Sequence, residues 1–250
     1  MTHLKTLVGV VVLAALVLCA VGAGSASATT LHVCTAEKLS EPTTPKFEDS
    51  ECRKPNETSG TFHLTRLKVG EATKVMVNAT ASHTFATTIS GMKFAFVCEG
   101  LTGTGSYTNV ENGGVMRVQG SSLHFEYTKC KVEEPAGKGC VLPEAISTKE
   151  LKSATQPMTE AEATKVRFEP ESGETFMAVA VKSCTVTALN GEKVVKGFAQ
   201  GVVPEGNEGA LEFSGSSGSG LTVEGAAATY TGKTGTFMEG TNEPLVFGRP

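Results

Sequence analysis

Apolar and polar residues alternate with a period of two through much of the chain, in TFHLTRL (Thr61 to Leu67), KVMVNAT (Lys74 to Thr80), MKFAFVCE (Met92 to Glu99), SLHFEYTKC (Ser122 to Cys130) and TFMAVAVKSC (Thr175 to Cys184). A period of two sends successive side chains to opposite faces, so these stretches predict half-buried β-strands. Turn signals lie between them: Glu111 to Gly114, Glu169 to Gly173, Asn190-Gly191 and Glu205 to Gly209 supply residues that tolerate positive φ. Near the C-terminus, Leu221 to Val223 and Ala227 to Tyr230 alternate on either side of Glu224-Gly225, which predicts a hairpin rather than a Gly/Ser linker. Helical periodicity is not sustained anywhere. The best candidate, Thr159 to Ala163 with Thr159 and Glu162 as a capping box, predicts a single turn at most. Short strands at regular turn spacing predict an all-β fold, an antiparallel sandwich or barrel-like domain.

The first 28 residues break this pattern. One positive charge at Lys5, an apolar run from Leu7 to Val21 and an Ala26-Ser27-Ala28 ending read as a signal peptide cleaved between Ala28 and Thr29. The run falls short of the ~20 apolar residues that a membrane span needs, so no stable span is expected after cleavage. Cys19 follows the bulky Leu18, which disfavours lipid attachment there. The expected organisation is residues 1–28 as signal, 29–60 as a small loop-rich segment closed by its own disulfide, and 61–250 as the main β-rich domain.

Cleavage removes one of the seven cysteines and Lys5, leaving six cysteines and a net charge one unit more negative than −4. An even count in an exported chain predicts disulfides, and the absence of C-x-x-C or H-x-x-x-H spacing argues against a metal or redox role. Strand phase suggests the pairing. Cys98 shares the core phase of Phe94 and Phe96, whereas Cys130 is out of phase with Leu123, Phe125 and Tyr127. The expected bridges are therefore Cys34–Cys52, Cys130–Cys140 across the Pro-Ala-Gly-Lys-Gly turn, and Cys98–Cys184 in the core.

The segments FVCEGLTGTGSYTNV, FEYTKCKV, the following GC and AISTKELKSATQ, in that order between Met92 and Val203, resemble uncharacterised exported cysteine-containing β proteins that occur in large paralogous sets in some high-GC soil bacteria. The resemblance implies a secreted β-rich fold and carries no catalytic role.

Candidate chemistry is sparse. Asp49 is the only aspartate, which disfavours a Ser-His-Asp triad, an aspartyl dyad or an acidic calcium loop. The glycines of Gly103 to Thr108 read as a turn or bulge rather than a phosphate loop. His63 and His124 fall on the polar phase of their strands and are expected to face solvent; His32 and His83 complete the mature set. Glu133-Glu134 diverge, as neighbours do, and read as solvated. The sequons at Asn56 and Asn78 match a glycosylation acceptor. With no Trp and three Tyr, aromatic platforms for sugars are scarce, and the mild acidity disfavours nucleic acid. No cofactor is implied. The resulting expectation is a secreted or cell-surface, non-enzymatic structural or interaction protein with an envelope or extracellular partner. The alternative is a secreted hydrolase or small-ligand binder built from dispersed Glu and His residues.

Overall fold

A computed structural model describes residues 28–36, 46–50, 52–56, 58–156, 164–204, 209–215 and 220–248. The structure is all-β and antiparallel, and the only helical element among the described residues is the 3-10 turn Thr187–Leu189. Residues 1–27, the candidate turn at Thr159 to Ala163 and residues 205–208 of the turn signal expected at Glu205 to Gly209 lie outside the described residues.

Eight strands form a ring. Ala72–Ala79, Met92–Asn112, Val115–Glu134, Leu151–Thr155, Lys165–Pro170, Ala199–Val202, Ala210–Gly215 and Ala226–Met238 pair in that order, and the last returns to the first through Thr236↔Val77. Closure satisfies backbone groups that an open sheet would leave at an edge. Below Ala72–Ala79, the strand His83–Ile89 takes over the same position, bridging Met92–Asn112 and Ala226–Met238. Thr222–Val223, Gly191–Lys196 and Thr175–Val181 extend outward from Ala226–Met238. They come back to Val115–Glu134 through Ala145–Ser147 and the bridge Thr148↔Met177.

The ring is filled. Phe125, Phe168, Phe213 and Tyr230 pack in a chain with centroid separations of 6.0, 5.8 and 4.9 Å. The void left among them is ≈ 10 Å³. Burying each such ring contributes roughly 1.5–3 kcal/mol. Gly103 makes room for one of them, because a Cβ there would sit 2.3 Å from Phe125 Cδ1.

A four-stranded sheet, ordered Leu245–Gly248, Thr30–Thr35, Phe62–Arg66, Lys46–Phe47, packs on the ring in a sandwich-like layer. Its inner face sends Leu31, Val33, Leu245 and Phe247 into the main core, with Phe247 edge-on to Tyr107 at 5.8 Å. Its outer face, with Phe62, Leu64 and Val246, packs on the Cys34–Cys52 bridge and Phe47. Both faces are therefore covered, which overturns one expectation: His63 is buried, because it shares the inner face, while Phe62 and Leu64 are half-buried on the other. His124 is exposed, as expected.

The hairpin of Met92–Asn112 and Val115–Glu134, 21 and 20 residues long, is the longest pair and far exceeds the short strands that alternation suggests. Along it the buried phase changes. Leu123, Phe125 and Tyr127 are buried, but beyond Lys129, held at φ 54°, the residues facing the core are Cys130 and Val132. The opposite strand shifts at the same level, from Phe94, Phe96 and Cys98 to Leu101, so the register is kept while the phase moves on both strands. A second shift, between Thr104 and Ser106, is the bulge expected of the glycine-rich stretch, centred on Gly105.

These shifts correct the disulfide pairing. Cys34–Cys52 forms as expected, but Cys98 pairs with Cys130, its direct cross-strand neighbour, and Cys140 pairs with Cys184. The expected Cys130–Cys140 and Cys98–Cys184 bridges do not form, because Lys129 turns Cys130 to the side on which Cys98 already lies. Cys140 instead reaches Cys184 beside the paired Val141 and Lys182 backbones.

Candidate functional site

The most site-like surface lies on the outer wall of the ring. Along Leu151–Thr155 and Lys165–Pro170, alternation sends Leu151, Ser153, Val166 and Phe168 inward and leaves Lys152, Ala154, Arg167 and Glu169 outward. Register aligns Gln119, Ala154, Arg167 and Gln200 in one row and sets Lys152 beside Glu169 in the next.

Arg167 is held from two sides. Its guanidinium carbon lies 3.7 Å from the Phe198 ring centroid, and its Nε and Nη2 each donate to Glu169 Oε2 at 2.9 Å. Lys152 Nζ lies 3.4 Å from Glu169 Oε1, so one carboxylate serves two cations. Stacking together with a double hydrogen bond fixes the guanidinium plane before any ligand arrives. Three of its five N–H donors remain for other acceptors.

Two hollows of ≈ 280 and ≈ 530 Å³ meet at Lys152, Arg167 and Glu169. Gln119, Gln156 and Ser153 line the first; Glu171, Glu174 and Lys196 line the second. Lys196 Nζ lies 3.2 Å from Glu174 Oε2, and the Glu171 carboxylate accepts the Ser122 backbone N–H. Two cations share one carboxylate at the first end, whereas at the second Lys196 pairs with Glu174 and the Glu171 carboxylate lies beside them on the Ser122 amide. The groove is thus polar along its length, positive at Arg167 and negative at Glu174.

On the inner side of the wall that carries the first hollow, the Ser153 hydroxyl is buried and faces the Tyr107 phenol without completing a hydrogen bond. Burial pushes the Tyr107 phenol well above its ordinary pKa. Gly120 lies against this hydroxyl, since a Cβ there would come within 2.4 Å of Ser153 Oγ.

The histidines are dispersed. His83 is sealed in the core, where its Nδ1 lies 2.8 Å from the Tyr230 phenol, which accepts from Tyr127 at 2.9 Å. Burial lowers the His83 pKa to about 4, while the Lys233 backbone acts in the opposite direction. His32, on the small sheet, is also lowered by burial, with the Thr30 backbone raising it and nearby Arg66 lowering it further. None of the four lines the groove. Glu133 and Glu134 end a strand on the far half of the long hairpin, the first exposed and the second half-buried. Asn78 is an exposed strand residue, and Asn56 is engaged with Glu48, Thr58 and Ser59. Thr29 is buried, and its N–H donates to Met116 O at 2.9 Å beside Ala28. Among the described residues no three His, Cys, Asp or Glu side chains gather as metal ligands, and no helix is long and apolar enough to cross a membrane.

Sequence reasoning missed the groove. Its residues are ordinary outward-facing charges spread from position 119 to 222, and only the ladder register brings them together. No family model, curated protein or solved structure matches the chain.

Proposed function

We propose that this chain is an exported, non-catalytic binding domain that uses the outer-wall groove to engage a partner in the extracellular space or cell envelope, as do secreted interaction proteins rather than hydrolases. The observation that carries this reading is the clamped Arg167, a recognition group held rigid between Phe198 and Glu169 in an open groove. Three disulfides fit an oxidising compartment. The group poised furthest from its ordinary ionisation among the histidines, His83, sits in packed interior where a substrate has no access. The resemblance to exported paralogous β proteins points the same way, with the signal peptide removed after Ala28.

The test is affinity capture from the secreted and envelope fractions with the mature protein and an Arg167→Gln/Phe198→Ala variant, alongside ester, peptide and glycan hydrolysis screens. A partner retained by the parent protein and lost by the variant supports the reading. Turnover abolished by a single Glu→Gln substitution would replace it with a hydrolase.

A further inference from the structure

The groove discriminates by charge along its length. At one end Lys152 and Arg167 share Glu169; at the other Glu171 and Glu174 are accompanied by Lys196. A ligand bearing only a carboxylate gains at the first end and is repelled at the second, and a purely cationic ligand meets the reverse. A ligand carrying both charges is attracted at both ends, and its binding leaves the balance of each end closer to neutral.

The first end is also equipped for a planar anion. Arg167 spends two N–H groups on Glu169 and keeps the rest of its fork, with Lys152 beside it, for a carboxylate in bidentate geometry. The side chains of Gln119 and Gln156 offer amide donors and acceptors of the kind that recognise a peptide unit. A hollow of ≈ 280 Å³ has room for a few residues of peptide rather than for a folded domain.

The geometry points to a short zwitterionic peptide as the ligand of this groove, with its carboxylate on Arg167 and Lys152 and its ammonium toward Glu174 and Glu171. This rests on the reading of the groove as a binding surface, and names what that surface selects.

The experiment titrates the mature, disulfide-intact protein with Ala-Ala-Ala, with its N-acetylated form and with its C-amidated form, following backbone amide shifts by NMR. Shifts are expected around Gln119, Lys152 and Arg167, and either cap weakens binding about fivefold to tenfold. Two exposed-face variants assign the ends. In Arg167→Gln amidation no longer matters while acetylation still does, and in Glu174→Gln the pattern reverses. Equal binding of free and capped peptides, the same acetylation penalty in Glu174→Gln as in the parent, or no shifts in the groove at millimolar peptide would each overturn the assignment. Partner capture that still depends on Arg167 in that case would leave the binding-domain reading standing, whereas loss of both would remove both.

Discussion

The side chain of Asn109 takes the place of a neighbouring strand beside Leu31: its Oδ1 accepts the Leu31 N–H at 2.7 Å, and its Nδ2 donates to the Leu31 carbonyl at 3.0 Å. The same Nδ2 reaches the Leu67 carbonyl at 2.8 Å, so one buried amide joins the small sheet to the tip of the long hairpin. Replacing Asn109 by Ala strands the Leu31 N–H in the interior and is expected to cost about 2–4 kcal/mol. Urea unfolding reads this loss, and Asn109→Asp, which keeps only the acceptor and adds a buried charge, should be no better.

His83 makes stability depend on pH. Its folded pKa of about 4 lies below the ordinary 6.5, so the neutral ring is favoured by folding. The associated stability is complete above pH 6.5, falls as pH drops toward 4 and is gone below it, to a total of roughly 3 kcal/mol. His32, lowered in the same direction, adds to the trend. Unfolding midpoints between pH 7.5 and 4 should therefore decline in the parent protein and decline less in His83→Gln.

Non-reducing peptide mapping is expected to yield linked fragments containing Cys98 with Cys130 and Cys140 with Cys184, and none joining Cys130 to Cys140. Loop closure across separations of 32 and 44 residues implies that removing either bridge by paired Cys→Ala substitution costs ~4 kcal/mol.

Gly103 and Phe125 should behave as a coupled pair. Gly103→Ala forces its methyl onto the Phe125 ring and is expected to destabilise by about 1–3 kcal/mol. Adding Phe125→Leu should recover part of that loss in a double-mutant cycle, since the smaller side chain frees the space the methyl needs.

Much of the architecture was written in local pattern. Period-two alternation identified the strands around Phe62, Val75, Phe94, Phe125 and Val179, and the turns at Gly113 and at Glu224-Gly225 fall where positive φ occurs. Cys34–Cys52 was legible because the two lie in one short segment. What failed was phase over distance. Lys129 and Ser122 adopt positive φ, at 54° and 49°, without being glycine, so nothing in their identity announces the shift that redirects Cys130. His63 was misjudged because burial of both faces of its strand depends on two separate coverings, the eight-stranded ring on one side and the Cys34–Cys52 bridge with Phe47 on the other. The groove was illegible for a related reason: Arg167 is an unremarkable strand cation until the fold stacks it on Phe198, which directly precedes the strand Ala199–Val202 paired beside it.

The placement of Thr30–Thr35 between Phe62–Arg66 and Leu245–Gly248 imposes an order of events on biogenesis. Thr30 pairs with Gly248, so this strand stays half-partnered until residues more than 200 positions later in the sequence are in place. Contacts of such sequence separation slow folding, because their loop must close before the ladder rewards it. A chain made from its N-terminus therefore cannot finish this sheet until residues 245–248 have been added, and its first described strand waits with one edge open until that strand docks.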